Sequence, residues 1–361
     1  MLTLIVPGLI WPQQALADLT RDLALPAFGA LLRYGQLTPD GPHDAHAALA
    51  ATVGLSAPLP AAALRGLASR RTPDESCWLA LDPVHLHLEQ TRVRLGDPQQ
   101  LALDETEAEQ LAVSLAPALC VPSGTFRALG ELVRLTPSLW NLRLDPDVPP
   151  PVQTTPLPQA IGRAVTPLPA APANRVWLAA LNEAQMVLHE HPVNRAREAA
   201  GRPVVNSLWP WGGGRLGASR STEGHPWIPG QARNDGALVM PHGVPYRHLL
   251  ADDALASGLG RWLELDTRPL GERTLAPATL VFYAALALPA QLGEATRWRD
   301  ALLALERDWL APALAILREG HIEAIHLLLP GEPQGRQLLL RRRDLLRFWR
   351  SPAPLTRLAS P

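Results

Sequence analysis

The sequence contains no lysine, and all 33 of its basic residues are arginine. This absence excludes Schiff-base enzymes and P-loop nucleotide hydrolases, because both depend on a lysine ammonium group. A GC-rich genome explains arginine-only usage, although arginine also suits carboxylate and phosphate recognition. The run Arg341 to Arg343 is interpreted as a solvated face rather than an anion site. The net charge of -1 provides no long-range basic field, so nucleic acid is not expected as a partner.

Cysteine is almost absent, since Cys77 and Cys120 are the only two. They are too few for a thiolate zinc site or a disulfide framework, so we expect reduced thiols and a cytoplasmic protein. The apolar N-terminus lacks a preceding positive charge and is interrupted by Pro7 and Pro12, so it predicts a buried strand rather than a signal peptide. No apolar run reaches the roughly 18 to 20 residues that span a bilayer, so no membrane association is expected.

Short apolar strands alternate with helical patterns along the chain. With 47% hydrophobic residues, 361 residues can bury a substantial core. This alternation predicts an α/β fold with a central mixed or mainly parallel sheet, flanked by helices. Strands are expected at 2–6, 78–89, 92–95, 206–211, 279–288 and 325–329, and helices at 15–34, 45–53, 60–69, 103–115, 174–188 and 298–317.

Proline crowds residues 145–172 and predicts a stiff connection at a segment boundary. We therefore expect a first part of the α/β core at 1–72, a smaller inserted α+β segment at 73–172, and a second part of the core at 173–361. Residues 217–236 are polar, rich in glycine and proline, and lack periodicity, so they predict an inserted loop without chemistry of its own.

One strand pattern places metal-ligating residue types together. In 84–89, His85, His87 and Glu89 share a face, so two imidazoles and a carboxylate could converge on a metal ion. A half-exposed strand face also carries such residues without any metal.

The most distinctive segment of the chain runs from His189 to Gly214. His189 and His191 are two positions apart near a helix end, where such neighbours do not share a face, so a helical two-histidine metal site is disfavoured. Asn194 could cap a short helix that Gly201 ends, or it could bind a ligand. Both interpretations stay open at this point.

Capping leaves the polar and aromatic remainder of this segment unexplained. Residues 206–211 predict a strand whose end delivers three glycines into a tight turn, the place where ligands sit in open α/β sheets. Glycines there allow the backbone to approach an anion closely. We therefore predict a ligand-binding surface with His189, His191, His85 and His87 as secondary members and, as primary members, Asn194, Arg197, Asn206, Trp209, Trp211, Gly212, Gly213 and Gly214.

This segment resembles a pattern of archaeal-type cofactor-independent phosphoglycerate mutases, in which Asn-x-x-Arg, a glycine and Asn-x-(Ile/Leu)-Trp-x-Trp-Gly follow in order. A divergent bacterial phosphoglycerate-mutase-like group is similar over more of the chain, through residues 82–86, 182–183 and 347–349. The resemblance implies the alkaline phosphatase superfamily, whose fold is a central sheet flanked by helices with a smaller inserted segment.

The resemblance also implies two divalent metal ions held by Asp and His, with a serine or threonine nucleophile between them. These ligands should follow the core strands. Instead the chain has Val6-Pro7-Gly8, an apolar run at 281–289 and Pro330-Gly331. Without anionic ligands two cations cannot be held, so we expect a noncatalytic or regulatory protein with no metal cofactor. Its partner would be a small phosphorylated or carboxylate ligand, or another protein.

Two alternatives remain. The first is an active mutase or phosphatase in which two Mn²⁺ or Mg²⁺ ions use displaced ligands, such as Asp82, His85, His87 or Glu89. The second is a pure protein-interaction module, which binds no small ligand.

Overall fold

A computed structural model describes residues 1–69, 75–89, 92–120, 128–166, 168–220, 237–241, 243–273, 275–332, 334–347 and 349–359. These residues form two compact units, the first within 1–58 and 241–359 and the second within 59–220 and 237–240. Of the loop predicted at 217–236, residues 221–236 lie outside the described part of the chain.

The strands, in chain order, are β1 (Leu2–Ile5), β2 (Gln36–Gly41), β3 (Trp78–Val84), β4 (Leu86–Glu89), β5 (Arg92–Leu95), β6 (Gly130–Arg134), β7 (Trp140–Leu144), β8 (Ala164–Val165), β9 (Ser207–Arg220), β10 (Ala237–Met240), β11 (His248–Ala251), β12 (Asp266–Arg268), β13 (Thr279–Phe282), β14 (Ala324–Leu329) and β15 (Gly335–Arg341).

The α-helices are α1 (Gln13–Thr20), α2 (Pro26–Tyr34), α3 (Ala45–Thr52), α4 (Ala61–Ala68), α5 (Pro98–Leu101), α6 (Glu105–Cys120), α7 (Leu157–Ala160), α8 (Arg175–His189), α9 (Pro192–Ala199), α10 (Ala254–Trp262), α11 (Ala287–Leu292), α12 (Ala295–Leu305) and α13 (Ala311–Glu319). Short 3-10 helices lie at Pro172–Asn174, Arg342–Leu346 and Leu355–Leu358.

The first unit is built on a sheet of strand order β12-β11-β13-β1-β14-β15-β2. The five strands from β12 to β14 are parallel. Strand β15 pairs antiparallel with β14, and β2 pairs antiparallel with β15, so β2 runs in the same direction as the first five strands. Every residue of β1 is buried, as expected for a central parallel strand covered on both faces. Helices α1, α2, α12 and α13 share one core cluster with β1 and β14, whereas α3 and α10 contact β1 and β11.

Two predicted elements of this unit differ in the structure. The strand expected at 279–288 ends at Phe282, because the following run is rich in alanine and leucine, which form α11 instead. The helix expected at 298–317 is interrupted by a π-helical turn at Glu306–Leu310. Pro312 lacks an amide hydrogen and would clash with the carbonyl four residues earlier, which accounts for the change of helical register.

The π-helical turn places the buried carboxylate of Glu306 next to the first residues of α2. Oε1 of Glu306 accepts from Ala27 N–H at 2.6 Å, and Oε2 accepts from Phe28 N–H at 2.9 Å. The proline at the start of α2 carries no N–H, so these are the first two amide donors of the helix. Burial raises the pKa of the Glu306 carboxyl, although the two N–H donors oppose this shift. The contact joins residues 279 positions apart and fixes α2 against the α12–α13 pair.

The second unit has a five-stranded sheet of order β10-β9-β3-β7-β6 and a three-stranded sheet of order β4-β5-β8. Helices α6 and α8 pack together, and their apolar side chains form one core with β3, β7 and β9. Helix α4 packs on β9 and β3 as well. The described residues of this unit lie within 59–220 and 237–240, and they include the long-range pairing of β3 with β9. The segment boundaries expected at 1–72, 73–172 and 173–361 stay a prediction.

The predicted fold class is confirmed, since the central, mostly parallel sheet is flanked by helices and accompanied by smaller antiparallel sheets. No helix among the described residues is both long and apolar enough to cross a membrane.

We predict that Glu306→Ala lowers the free energy of unfolding by about 3 kcal/mol, because two buried amide donors lose their acceptor. Glu306→Gln should cost less, since it keeps one acceptor oxygen. Urea denaturation of both variants measures the effect. Glu319→Ala in α13 is the control, because its side chain is exposed and should change stability by less than about 0.5 kcal/mol. Equal stability of Glu306→Ala and the wild type would show that this cap is not important.

Candidate functional site

The distinctive segment of the sequence begins at α9, whose N-cap is His191. Nδ1 of His191 accepts from Val193 N–H at 3.2 Å, and Nε2 lies 2.9 Å from Ser114 Oγ. Burial lowers the pKa of His191, which favours the neutral ring that this cap requires. The capping role proposed for Asn194 is wrong, because Pro192 begins the helix two residues earlier. His189 lies exposed at the end of α8.

Asn194 lies buried inside α9, and its amide joins three segments. Nδ2 donates to Leu188 O at 2.7 Å and to Val205 O at 2.6 Å, and Oδ1 accepts from Val205 N–H at 2.9 Å. The side chain therefore holds the end of α8, the helix α9 and the chain just before β9 together. A ligand-binding role for Asn194 stays a prediction, and these contacts provide a structural one.

Arg197 is 1% exposed and binds protein groups through all three guanidinium nitrogens. Nε donates to Pro203 O at 2.7 Å, one terminal nitrogen pairs with Glu107 at 2.6 Å, and the other donates to Leu101 O. Arg197 thus ties α9 to α6 and to α5, the short helix that precedes α6.

Gly201 has a φ of +66° just after α9, which confirms that a glycine ends this helix.

Asn206 joins the chain just before β9 to the start of β4. Its Oδ1 accepts from Leu86 N–H at 2.7 Å, and its Nδ2 donates to Leu86 O at 2.9 Å. An asparagine side chain can imitate a neighbouring peptide group in this way. Asn206 therefore anchors the start of β4 beside the start of β9.

The triple glycine lies within a strand, so the predicted tight turn is wrong. Strand β9 runs without interruption through Gly212, Gly213 and Gly214 to Arg220. Trp211 pairs with Ala80 and Gly214 with Trp78, so β9 carries one residue more than β3 between these pairs, which is a β-bulge. Gly212 and Gly214 have φ values of +59° and +146°, which this bulge requires.

The glycines also let α4 approach the sheet. A Cβ atom at Gly212 would lie 2.5 Å from Ala61 Cβ, and one at Gly214 would lie 2.9 Å from Pro60 Cβ. At Gly213, where φ is ordinary, the nearest atom would be Leu79 Cδ1 at 3.2 Å. The glycine run therefore serves helix-on-sheet packing at this position.

A buried polar cluster lies at the contact between α4 and the sheet. Arg65 and Asp82 form a bidentate ion pair with two distances of 2.8 Å, and their side chains are 3% and 0% exposed. The Asp82 carboxylate also accepts from Trp140 N–H at 3.1 Å and from the Trp211 indole at 2.8 Å. The Arg65 guanidinium lies 5.5 Å from the centroid of a Trp211 ring, close enough for a cation–π contact.

The backbone and Asn141 complete this cluster. Arg65 donates to Trp140 O at 3.1 Å and to Asn141 Oδ1 at 3.2 Å, and Asn141 Nδ2 donates to Ala62 O at 2.7 Å. Within the described part of the chain, Arg65 Nε is the one polar side-chain atom of the cluster without a partner. Sequence patterns did not identify Arg65 and Asn141, although Arg65 is the only charged residue in α4 and could have signalled a buried acidic partner.

Trp209 is fully buried in β9, the strand that also carries Trp211, and its indole N–H donates to Thr155 O at 2.9 Å. Both tryptophans of the motif thus use their N–H groups inside the second unit. Ligand binding by these residues stays a prediction.

The histidine pair of the three-stranded sheet has a different geometry from the one expected. His85 lies between β3 and β4 rather than within one strand, with Nδ1 2.7 Å from Val204 O. The rings of His85 and His87 lie 4.3 Å apart. Burial and the neighbouring His85 lower the pKa of His87. Glu89 is paired with Arg94 at 2.8 Å, and this ion pair occupies the carboxylate.

The carboxyl edge of the parallel sheet in the first unit is where ligands bind in α/β folds. The acidic side chains at this edge accept hydrogen bonds from backbone amides. Asp44 caps α3 by accepting from the N–H of residue 47 at 2.8 Å, and Asp253 caps α10 by accepting from the N–H of residue 256 at 2.8 Å. Asp252 accepts from Leu270 N–H at 2.9 Å. His46 of α3 stacks on Phe282 at 6.5 Å. Within the described ranges, no three His, Cys, Asp or Glu residues are grouped so that they could hold a metal ion.

Indole groups close the end of β1. The carbonyl of Gly8 accepts from Trp298 Nε1 at 2.8 Å and from Trp11 Nε1 at 3.2 Å. The two indole systems meet edge to face, with ring centroids 5.6 Å apart. Gly8 has a φ of +84°, and an added Cβ would lie 2.5 Å from Leu286 O. The turn that follows β1 is thus held by close packing and indole hydrogen bonds.

No family model matches the chain, and no curated protein matches it in sequence. Among solved structures, it is similar to the PH0037 protein from Pyrococcus horikoshii, with a TM-score of 0.52 and 13% identity over 94% of this chain and 87% of that chain. It is also similar to a cofactor-independent phosphoglycerate mutase from Thermoplasma acidophilum, with a TM-score of 0.43 and 15% identity over 94% of this chain and 89% of that chain. The first similarity shows a shared fold, and the second is too weak to add to it.

We predict that Arg65→Met lowers the free energy of unfolding by about 3 to 5 kcal/mol, because it leaves the buried Asp82 charge without its partner. The double variant Arg65→Met/Asp82→Asn should lose less than the sum of the two single variants. Chemical denaturation gives the coupling energy. Arg94→Met is the matched control, since its pair with Glu89 is half exposed and should be worth less than about 1 kcal/mol. Additive single effects would contradict this assignment.

We also predict that Gly212→Ala destabilises the protein by about 3 kcal/mol, since it combines a positive φ with a clash against Ala61. Gly201→Ala should cost only about 1 kcal/mol, because its φ is similar but nothing lies within 4 Å of the added Cβ. Thermal unfolding of the two variants separates packing from backbone strain. If the two variants lose the same stability, the clash with α4 does not contribute to the cost of Gly212→Ala.

Proposed function

We propose that this protein is a noncatalytic, regulatory protein of phosphoglycerate-mutase-like descent, with an alkaline-phosphatase-like fold, that binds a small anionic ligand or a protein partner. The proposed descent is supported by the order of residues from Asn194 to Gly214 and by the central sheet with its smaller second unit. The proposal includes a cytoplasmic location and no metal cofactor.

The observation that carries the proposal is that two indole groups bind the turn after β1, where a metal-ligating carboxylate would be needed. Phosphoryl transfer between two metal ions needs anionic ligands at the strand ends. Here the residues that follow β1 are Val6, Pro7 and Gly8, and the Gly8 carbonyl is bound by Trp11 and Trp298. A divalent ion would meet indole and proline surface in place of a carboxylate.

The neighbouring strand ends are equally unsuited to divalent ions. Tyr283 follows β13, and its hydroxyl donates to Ala301 O at 2.9 Å. Burial raises its pKa to about 12, so the phenol stays protonated and neutral at ordinary pH. Pro330 and Gly331 follow β14. These residues do not fit a pair of metal ions, so they provide no basis for metal-assisted phosphoryl transfer at this edge of the sheet.

Displaced metal ligands receive little support from the second unit. Asp82 is fully buried with four donors, and Glu89 is paired with Arg94. His85 and His87 remain close together, but two imidazoles alone provide no anionic ligand for a Mn²⁺ or Mg²⁺ ion, which prefers oxygen.

We expect the purified full-length protein to bind less than stoichiometric Mn²⁺ and to leave 2- and 3-phosphoglycerate unchanged. Elemental analysis after dialysis against Mn²⁺ and a coupled mutase assay measure these outcomes. His87→Ala is the matched variant, and its metal content should equal that of the wild type. Binding of stoichiometric Mn²⁺ together with interconversion of the two phosphoglycerates would refute the proposal. Metal lost only in His87→Ala would favour the displaced-ligand enzyme.

A further inference from the structure

Three arginines surround one cavity in the first unit, at the edge of its sheet. The cavity has a volume of about 420 Å³ and lies between the end of α2, the start of β2 and the chain near residue 350. Arg33, Arg350 and Arg357 line it, together with the polar side chains of Gln36 and Ser351. Its size falls within the range of small-molecule sites.

Backbone contacts hold the three guanidinium groups in place. Arg33 donates from Nε to Arg350 O at 2.6 Å, and its guanidinium lies 5.0 Å from the Tyr34 ring centroid. One terminal nitrogen of Arg350 donates to both Tyr34 O and Gly35 O at 3.0 Å. One terminal nitrogen of Arg357 lies 3.4 Å from Leu32 O. The acceptors of Arg350 and Arg357 are carbonyls at the end of α2, and the two guanidinium groups offset the partial negative charge there.

Each of two arginines keeps donors for a further partner. A guanidinium has five N–H donors, and the backbone carbonyls occupy only one terminal nitrogen of Arg350 and of Arg357. In the described part of the chain, their Nε and second terminal nitrogen meet no acceptor. These are the atoms that form a two-pronged contact with a phosphate or carboxylate.

The charge around the cavity is of one sign. Its lining, as far as the described residues show it, includes three arginines and no aspartate or glutamate. Like charges held together raise the free energy of the empty site, and an anion with two negative charges relieves this repulsion. Because guanidinium groups match the geometry of phosphate oxygens, the cavity suits a phosphate group best.

We propose that the Arg33–Arg350–Arg357 cavity binds the phosphate group of a small phosphorylated molecule. This inference rests on the proposed function, in that it names where and through which chemistry a noncatalytic protein would take its anionic ligand. The sequence predicted the ligand-binding surface at Asn194 to Gly214, but the polar groups of that segment bond within the protein. The proposed site lies instead on the first unit.

A second arginine-lined cavity provides the matched control. It has a volume of about 350 Å³ and is lined by Arg341, Arg342 and Arg343, but also by Glu323. The carboxylate offsets part of the positive charge there. The two cavities therefore differ in the net charge of their lining, although three arginines line each of them.

Isothermal titration calorimetry of the full-length protein with inorganic phosphate and with 3-phosphoglycerate tests the proposal, with glycerate as the ligand that lacks phosphate. We expect both phosphates to bind and glycerate not to bind. Arg357→Gln and Arg350→Gln should each weaken binding about 10-fold or more, because one charge-assisted contact is lost. Arg343→Gln should leave the affinity unchanged. Raising the salt concentration to about 0.5 M should weaken binding further, since exposed charges are screened.

The possible results separate the site from the proposed function. Arg357 makes only one long backbone contact, so Arg357→Gln should keep the fold even if Arg350→Gln does not, and circular dichroism checks this. Binding that is lost in Arg343→Gln and kept in Arg357→Gln overturns the assigned site while leaving the proposed function intact. Binding of neither phosphate also overturns the site and leaves a protein partner. Binding of inorganic phosphate but not of 3-phosphoglycerate supports the phosphate site and excludes 3-phosphoglycerate as its occupant. The proposed function itself fails only in the separate mutase assay.

Discussion

The buried ion pair between Arg65 and Asp82 is the contact on which the second unit depends. Removing two charges from water is costly, and only near-complete hydrogen bonding offsets that cost. The Asp82 carboxylate accordingly receives four donors, which come from α4, β7 and β9. Those elements can each occupy only one position if the pair is to form. The cluster therefore selects one arrangement of helix and sheet among the many that apolar packing alone would allow.

This ion pair and other contacts within the second unit explain the composition of the segment that resembles the phosphoglycerate mutase pattern. Trp211 is present because its indole reaches Asp82, and Gly212 because a side chain there would meet Ala61. Asn194 and Arg197 tie α9 to the elements around it. Amide, guanidinium and indole groups are the same chemical types that bind ligands. Contacts within the protein therefore account for these groups, and ligand binding by them stays a prediction.

Local elements were predictable wherever the sequence carries a periodic signal. The β1 strand, the helix α8 and the end of α9 at Gly201 lie where pattern and capping preferences place them. Predictions failed where distant contacts override local preference. The glycine run reads as a turn but continues as a strand, since β3 pairs with it from more than 100 residues away. Asn194 reads as a cap, but its amide is needed between α8 and β9.

The sequence by itself determined the fold class and the occupants of the strand ends, because periodicity and residue identity suffice for both. It contained Arg33, Arg350 and Arg357 as well, yet nothing in their spacing relates positions more than 300 residues apart. Only the tertiary structure brought these three guanidinium groups around one cavity and placed Arg65 against Asp82. Electrostatic interactions depend on distance in space and on exclusion of water, and a linear sequence records neither.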